Sequence, residues 1–209
     1  MHEIAALDHR VSDDVDRAAI LLHGRRRPPS DMRDLAGQLG LLAWRCVFPP
    51  ADDASWYPKS FLKPVEVNEP SLDAAVGRVE AEVERLRDEG FAPERILVGG
   101  FSQGACVICE YLARRPTRHL GALILSGGLA GPAGTTWRPQ VELEGMPALL
   151  TGSPADPWVP LARVRETADW LRASGARVRL EEFADREHVI DDRDIAAGVE
   201  FIAGLPDQG

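Results

Sequence analysis

The chain has 209 residues, 44% of them hydrophobic and 27% charged, and a formal net charge of −9. That length fits one domain over residues 1–209, two small ones being the alternative, with apolar material for a sizeable core. The acidic balance argues against a general nucleic-acid or anionic-membrane binder, because both partners are polyanions, although Arg25-Arg26-Arg27 is a local basic run.

Three cysteines, at 46, 106 and 109, make no disulfide framework and suit a reducing cytoplasm. The N-terminus, MHEIAALDHRVSDDVD, has no basic segment followed by an apolar one, so no signal peptide is expected. No run reaches the roughly 18 apolar residues of a membrane span. The expectation is a soluble, cytoplasmic protein, monomeric or homodimeric.

Taken in order, residues 3–9 offer an edge strand and Ala18–Leu22 a buried one. Ser30 is read as the cap of a helix running to about Leu42, and Arg45–Phe48 as a strand stopped by Pro49-Pro50. A loop rich in Trp, Pro and Asp follows, to about Pro70. Ser71 is read as the next cap, because Leu72, Val76, Val79, Val83 and Leu86 recur at helical spacing up to Gly90. Further strands are expected over 95–98, 122–125, 147–150 and 178–183. Helices are expected over Gln103–Arg114, Leu161–Ala173 and 194–203. This alternation predicts an α/β fold: a mostly parallel sheet with helices on both faces.

At the strand-to-helix junction after residue 98 the chain reads Gly100-Phe101-Ser102-Gln103-Gly104. A G-x-S-x-G pattern is weak alone and specific in this context. Small residues two before and two after the serine let strand and helix approach closely. The sharp turn lifts the hydroxyl above the sheet, in front of a helix N-terminus with unpaired N–H groups.

A hydroxyl needs a base to act as a nucleophile near neutral pH. Only His119 and His188 follow Ser102 in the chain. His119 falls at the opposite end of the sheet and reads as a solvated loop residue. His188 follows a strand at the serine's end and is the candidate base. Asp156, in the loop Thr151-Gly-Ser-Pro-Ala-Asp156-Pro-Trp-Val-Pro160, is the candidate acid that orients it. Asp185, Glu187, Asp191 and Asp192 compete for that role but lie close to the histidine in sequence. For the oxyanion, the main-chain N–H groups of Gln103 and Arg25 are the candidates. His23, beside Arg25, is expected to hold its loop by hydrogen bonds.

These pieces resemble the phospholipase/carboxylesterase family of small α/β-hydrolases, which includes acyl-protein thioesterases. The resemblance rests on LLHG at 21–24, GFSQGA at 100–105, LSGGL at 125–129, the Asp156 loop and His188-Val-Ile. It extends from about residue 18 to 203, with spacings of 54 and 32 residues within Ser102, Asp156 and His188. It implies a hydrolase without a large lid that uses those three residues, needs no cofactor and no metal, and acts on a small-molecule ester. A thioesterase using the same triad and a catalytically silent binding module are the alternatives. Two departures stand out: Arg25 to Arg27 replace the glycine usual soon after HG, and Glu187 replaces the glycine usual before the histidine.

By the same resemblance the loop after the second strand borders the substrate. Trp56, Tyr57 and Phe61 there, with Trp158 beside the acid, are candidate substrate-binding residues, and Trp137 is a further one. Their aromatic character favours a compact apolar or aromatic ester, or else it packs the loop onto the body. Cys106-Val-Ile-Cys109 lies inside an apolar helix and is read as core, not as a redox or metal site.

Overall fold

The computed structural model describes residues 7–9 and 15–206. Seven strands form one sheet: β1 (Leu7–His9), β2 (Ala18–Leu22), β3 (Arg45–Phe48), β4 (Ile96–Phe101), β5 (Gly121–Leu125), β6 (Pro147–Gly152) and β7 (Arg177–Glu182). Their order is β1-β3-β2-β4-β5-β6-β7. β1 runs antiparallel to β3, and every other pairing is parallel. The expected N-terminal edge strand is therefore present in its described part, while residues 3–6 lie outside the described residues.

The helices are α1 (Ser30–Gln38), α2 (Ser71–Asp88), α3 (Gln103–Arg114), α4 (Leu161–Ala173) and α5 (Asp192–Ala203). Alternate residues of a strand face opposite sides of a sheet, so a strand covered on both sides is apolar throughout. In β2, Ala18, Ile20 and Leu22 join a core with α2, α3 and α4. Ala19 and Leu21 join a second core with Met32 and Leu35 of α1 and Phe201 of α5. The alternating sequence thus becomes a three-layer α/β body.

Several helix starts differ from the sequence reading. Ser30 and Ser71 are first helical residues and cap nothing; Pro29 and Pro70 precede them in the cap positions. Proline pre-sets the backbone for a first turn and gives up an N–H that would go unpaired there. At α2 the capping acceptor is Glu69, whose carboxylate takes the N–H of Asp73. α1 ends at Gln38, four residues early, because Gly40 turns left-handed with φ 74°. α5 starts two residues early: Asp191 accepts the N–H groups of Arg193 and Asp194, and Asp194 reciprocates to the N–H of Asp191.

His119 also departs from the reading. It is 1% exposed, and its Nε2 lies 3.2 Å from the Tyr111 hydroxyl. Burial pulls its pKa down to about 4, against a weaker opposing contact with the Pro93 main chain. Below pH 6.5 the unfolded chain accepts a proton that the folded chain refuses, so stability falls as pH drops toward 4 and then levels off. The gap corresponds to roughly 3 kcal/mol. Urea midpoints measured from pH 7 to 4 should show this loss, and His119→Gln should flatten the slope. An unchanged slope in the variant would place the proton uptake elsewhere.

Candidate active site

β3 and β4 leave β2 on opposite sides, so the chain reverses its direction of travel across the sheet there. Crevices open at the carboxyl ends of strands at such a point. β4 is longer than the sequence suggested and runs to Phe101, delivering Ser102 into this crevice. Ser102 has φ 56° and ψ −119°, a left-handed conformation that costs a non-glycine residue about 1 kcal/mol or more. Its N–H donates to Leu125 O at 2.9 Å, and its carbonyl accepts from Cys106 at 3.0 Å, which locks the turn.

The glycines around it are required by contact distance. A Cβ on Gly104 would fall 2.2 Å from Leu22 O, and one on Gly100 2.8 Å from the same oxygen. Strand β2 and the first turn of α3 therefore touch through main chain alone. A Cβ on Gly24 would be 3.4 Å from Ser102 Cβ, so the loop after β2 reaches the serine.

Asp156 and His188 meet Ser102 at this end. The Ser102 hydroxyl lies 2.7 Å from His188 Nε2, and His188 Nδ1 lies 2.7 Å from Asp156 Oδ2. With the carboxylate as acceptor, Nδ1 carries the proton and Nε2 offers its lone pair to the hydroxyl. Oδ1 of Asp156 accepts the N–H groups of Trp158 and Val159 at 2.8 and 3.0 Å. Burial alone would raise the Asp156 pKa, but the bonds from His188 and these two amides outweigh it and hold the carboxyl below its ordinary value. The His188 ring also stacks on Phe101, with centroids 5.0 Å apart. The competing acids are otherwise engaged or exposed. Asp185 pairs with Arg193, Asp191 caps α5, and Glu187 and Asp192 are exposed.

Arg25 and Gln103 both line the cleft beside Ser102. In this loop Arg26 N–H is committed to Ala54 O and Arg27 N–H to Gly24 O. Among the described residues, the N–H groups of Arg25 and Gln103 have no such acceptor. The turn for which a glycine was missed is made by Arg26, at φ 58°. His23 is buried and neutral in role: Ala51 N–H donates to its Nε2, so Nδ1 is protonated and donates to Gly24 O. Burial also lowers its pKa, against the contact with Gly24.

Two side chains next to the serine do work that the motif did not reveal. The Gln103 amide accepts the N–H of Trp56 at 3.0 Å and donates to Tyr57 O at 2.8 Å. The Arg25 guanidinium donates to the carbonyls of Tyr57, Pro58 and Lys59. Both fasten the aromatic loop over the site, and Arg25 is thereby occupied by protein carbonyls. The only sequence signal for this was a charged and an amide residue adjoining the two turns.

Tyr57, Phe61 and Trp158 line a cleft of about 440 Å³ with Ser102 and His188. Trp56 does not. It is 5% exposed, donates its indole N–H to His23 O at 2.8 Å and stacks on His23, so it packs the loop. Trp137 likewise donates to Ala130 O, lies against Arg163 and does not line the cleft. A second cleft of about 510 Å³, lined by Arg27, Asp31, Asp34 and Gln38, meets the first at Arg25, Ser102 and His188. Cys106 and Cys109 are buried free thiols, and burial pushes Cys106 up to about 11. Among the described residues no group of three or more His, Cys, Asp or Glu could hold a metal ion, and no helix is long and apolar enough to cross a membrane.

A mostly parallel sheet with a serine on a strained strand-to-helix turn defines an α/β-hydrolase, and among the described residues no large lid covers it. The sequence pattern of the phospholipase/carboxylesterase family matches residues 49–205. A solved phospholipase/carboxylesterase from Dyadobacter fermentans is 30% identical, with 97% of each chain covered and a TM-score of 0.89. The chain belongs to this family. Arabidopsis thaliana SOBER1 (21% identical, 90% of this chain and 97% of that one, TM-score 0.74) shares the fold. So does a carboxylesterase from Mesorhizobium loti (19% identical, 91% and 90%, TM-score 0.73). No curated protein matches the chain.

The contact at Gly104 can be checked against a neutral glycine. Gly104→Ala should lower stability by about 3 kcal/mol or prevent folding, because a main-chain oxygen cannot yield. Gly77→Ala, in α2 with nothing within 4 Å, should raise it by about 0.5–1 kcal/mol. Thermal melts showing equal effects at both sites would contradict the packing account.

Proposed function

We propose that the chain is a serine carboxylesterase that acts through an acyl-enzyme. The observation that carries this reading is the continuous Ser102–His188–Asp156 hydrogen-bond chain, with both links at 2.7 Å. In the first half-reaction His188 Nε2 takes the Ser102 proton as Oγ bonds to the carbonyl carbon. The carbonyl electron pair moves onto oxygen, where the N–H groups of Gln103 and Arg25 receive it. Collapse breaks the ester C–O bond, and His188 hands its proton to the departing alcohol. In the second half, water attacks the acyl group as His188 Nε2 takes a water proton; collapse then breaks the acyl–Oγ bond, and His188 returns that proton to Ser102 Oγ as the carboxylic acid leaves. Asp156 stays ionised, orients the ring and stabilises the imidazolium.

The two clefts suggest which part of an ester goes where. Tyr57, Phe61, Trp158 and Val159 offer an apolar wall to a small or medium acyl group, aliphatic or aromatic. The cleft bearing Arg27, Asp31, Asp34 and Gln38 suits the more polar alcohol. The hydrogen-bonded triad favours a working hydrolase over a silent binding module. The same nucleophile attacks thioesters, so an assay set should contain both.

Hydrolysis of p-nitrophenyl esters from acetate to palmitate, with an acyl thioester beside them, tests the reading. Short and medium chains should be turned over best, and Ser102→Ala should lose roughly 10⁴-fold or more in kcat. A folded Ser102→Ala protein with full activity would overturn the assignment. Preference for the thioester would keep the triad and change the substrate class.

A further inference from the structure

Arg186 heads the largest fully buried side chains of the protein. It lies two residues before His188. Its Nη1 donates to Val189 O at 2.5 Å and, more weakly, to Glu187 O at 3.4 Å. Those carbonyls belong to the residues on either side of His188. Its Nε faces Asp194 Oδ2 at 3.5 Å, with both side chains fully buried. Its guanidinium also lies 5.7 Å from the Phe183 ring, at the start of the same loop. Asp194 in turn accepts the N–H of Asp191 at the start of α5.

Stability alone accounts poorly for this group. Burying a guanidinium and a carboxylate costs several kcal/mol, repaid only where geometry and hydrogen bonding are excellent. Here the pair is long, and among the described residues Nε and Nη2 of Arg186 and Oδ1 of Asp194 have no hydrogen-bond partner. A well-packed apolar pair would serve the core as well or better. What an apolar side chain cannot do is hold the two carbonyls that flank the histidine.

We propose that Arg186 is a positioning residue for His188: it clamps the main chain on both sides of the base and anchors that loop to α5 through Asp194. The inference rests on the reading of His188 as the base. The clamp sets the loop that stacks the imidazole on Phe101 and keeps Nε2 at 2.7 Å from the Ser102 hydroxyl. A displacement of about 1 Å in such a group can cost on the order of 100-fold in rate.

The test uses the full chain and two variants. Arg186→Met combined with Asp194→Asn removes both charges together, and asparagine retains an acceptor for the Asp191 N–H. Arg186→Lys keeps the charge opposite Asp194 but cannot span both carbonyls, and it carries the test if the double variant does not fold. On a p-nitrophenyl ester the double variant should lose about 10–100-fold in kcat, with KM within about threefold. Arg186→Lys should fall between it and the parent. In both, the His188 ring-proton resonance should shift from its parent position. Unchanged kcat in a folded variant would overturn the proposal. So would kcat and KM moving together, in step with melting temperature and with no rescue by lysine, since that marks a merely structural role. His188→Ala, run in parallel, separates the two readings. An active His188→Ala protein removes the base assignment, whereas an inactive one beside unimpaired Arg186 variants removes the clamp alone.

Discussion

The architecture of the site follows from one main-chain contact. Leu22 O lies so close to Gly100 and Gly104 that no side chain fits at either position. This contact draws the end of β2 and the start of α3 together around Ser102. It forces the serine into its left-handed conformation and leaves the first-turn N–H groups of α3 facing the crevice. It also brings Gly24 against the serine, so that the loop after β2 lies where a developing negative charge would need donors. The turn that presents the proposed nucleophile, and the N–H groups around it, thus come from packing, before any other side chain of the site is considered.

The wall of the cleft is tied to the same two turns. Gln103 and Arg25, the proposed oxyanion donors through their main chain, use their side chains to bind residues 56–59. His23 holds the loop from beneath through Ala51 and Trp56. A loop with little regular structure is thereby kept close to the serine by buried and charge-assisted hydrogen bonds. Substitutions at Gln103 or Arg25 affect the pocket wall as well as the turn, and their effects will not separate cleanly.

Much of the arrangement was legible in the sequence, because its signals are local. Short apolar runs between amphipathic stretches give the parallel sheet, and Gly-x-Ser-x-Gly at a strand end gives the sharp turn. Chain order together with position at the serine's end of the sheet selects Asp156 and His188, which the structure brings together with Ser102. What escaped depends on the third dimension. Ser30 and Ser71 look like caps, yet the prolines before them begin the turns. His119 looks like a loop residue, yet it is buried beside Tyr111. Trp56 and Tyr57 are neighbours in the chain, and only Tyr57 faces the cleft. Arg186 gave no sign of burial, since arginine is rarely found inside without partners.

The central claim is that Ser102 becomes acylated with His188 as its base. The most direct test is reaction with a fluorophosphonate, followed by mass mapping of the modified peptide. The account predicts a single adduct on the peptide that carries Ser102, absent in Ser102→Ala and formed far more slowly in His188→Ala. A folded protein that forms no adduct, or forms it on another residue, would contradict the account.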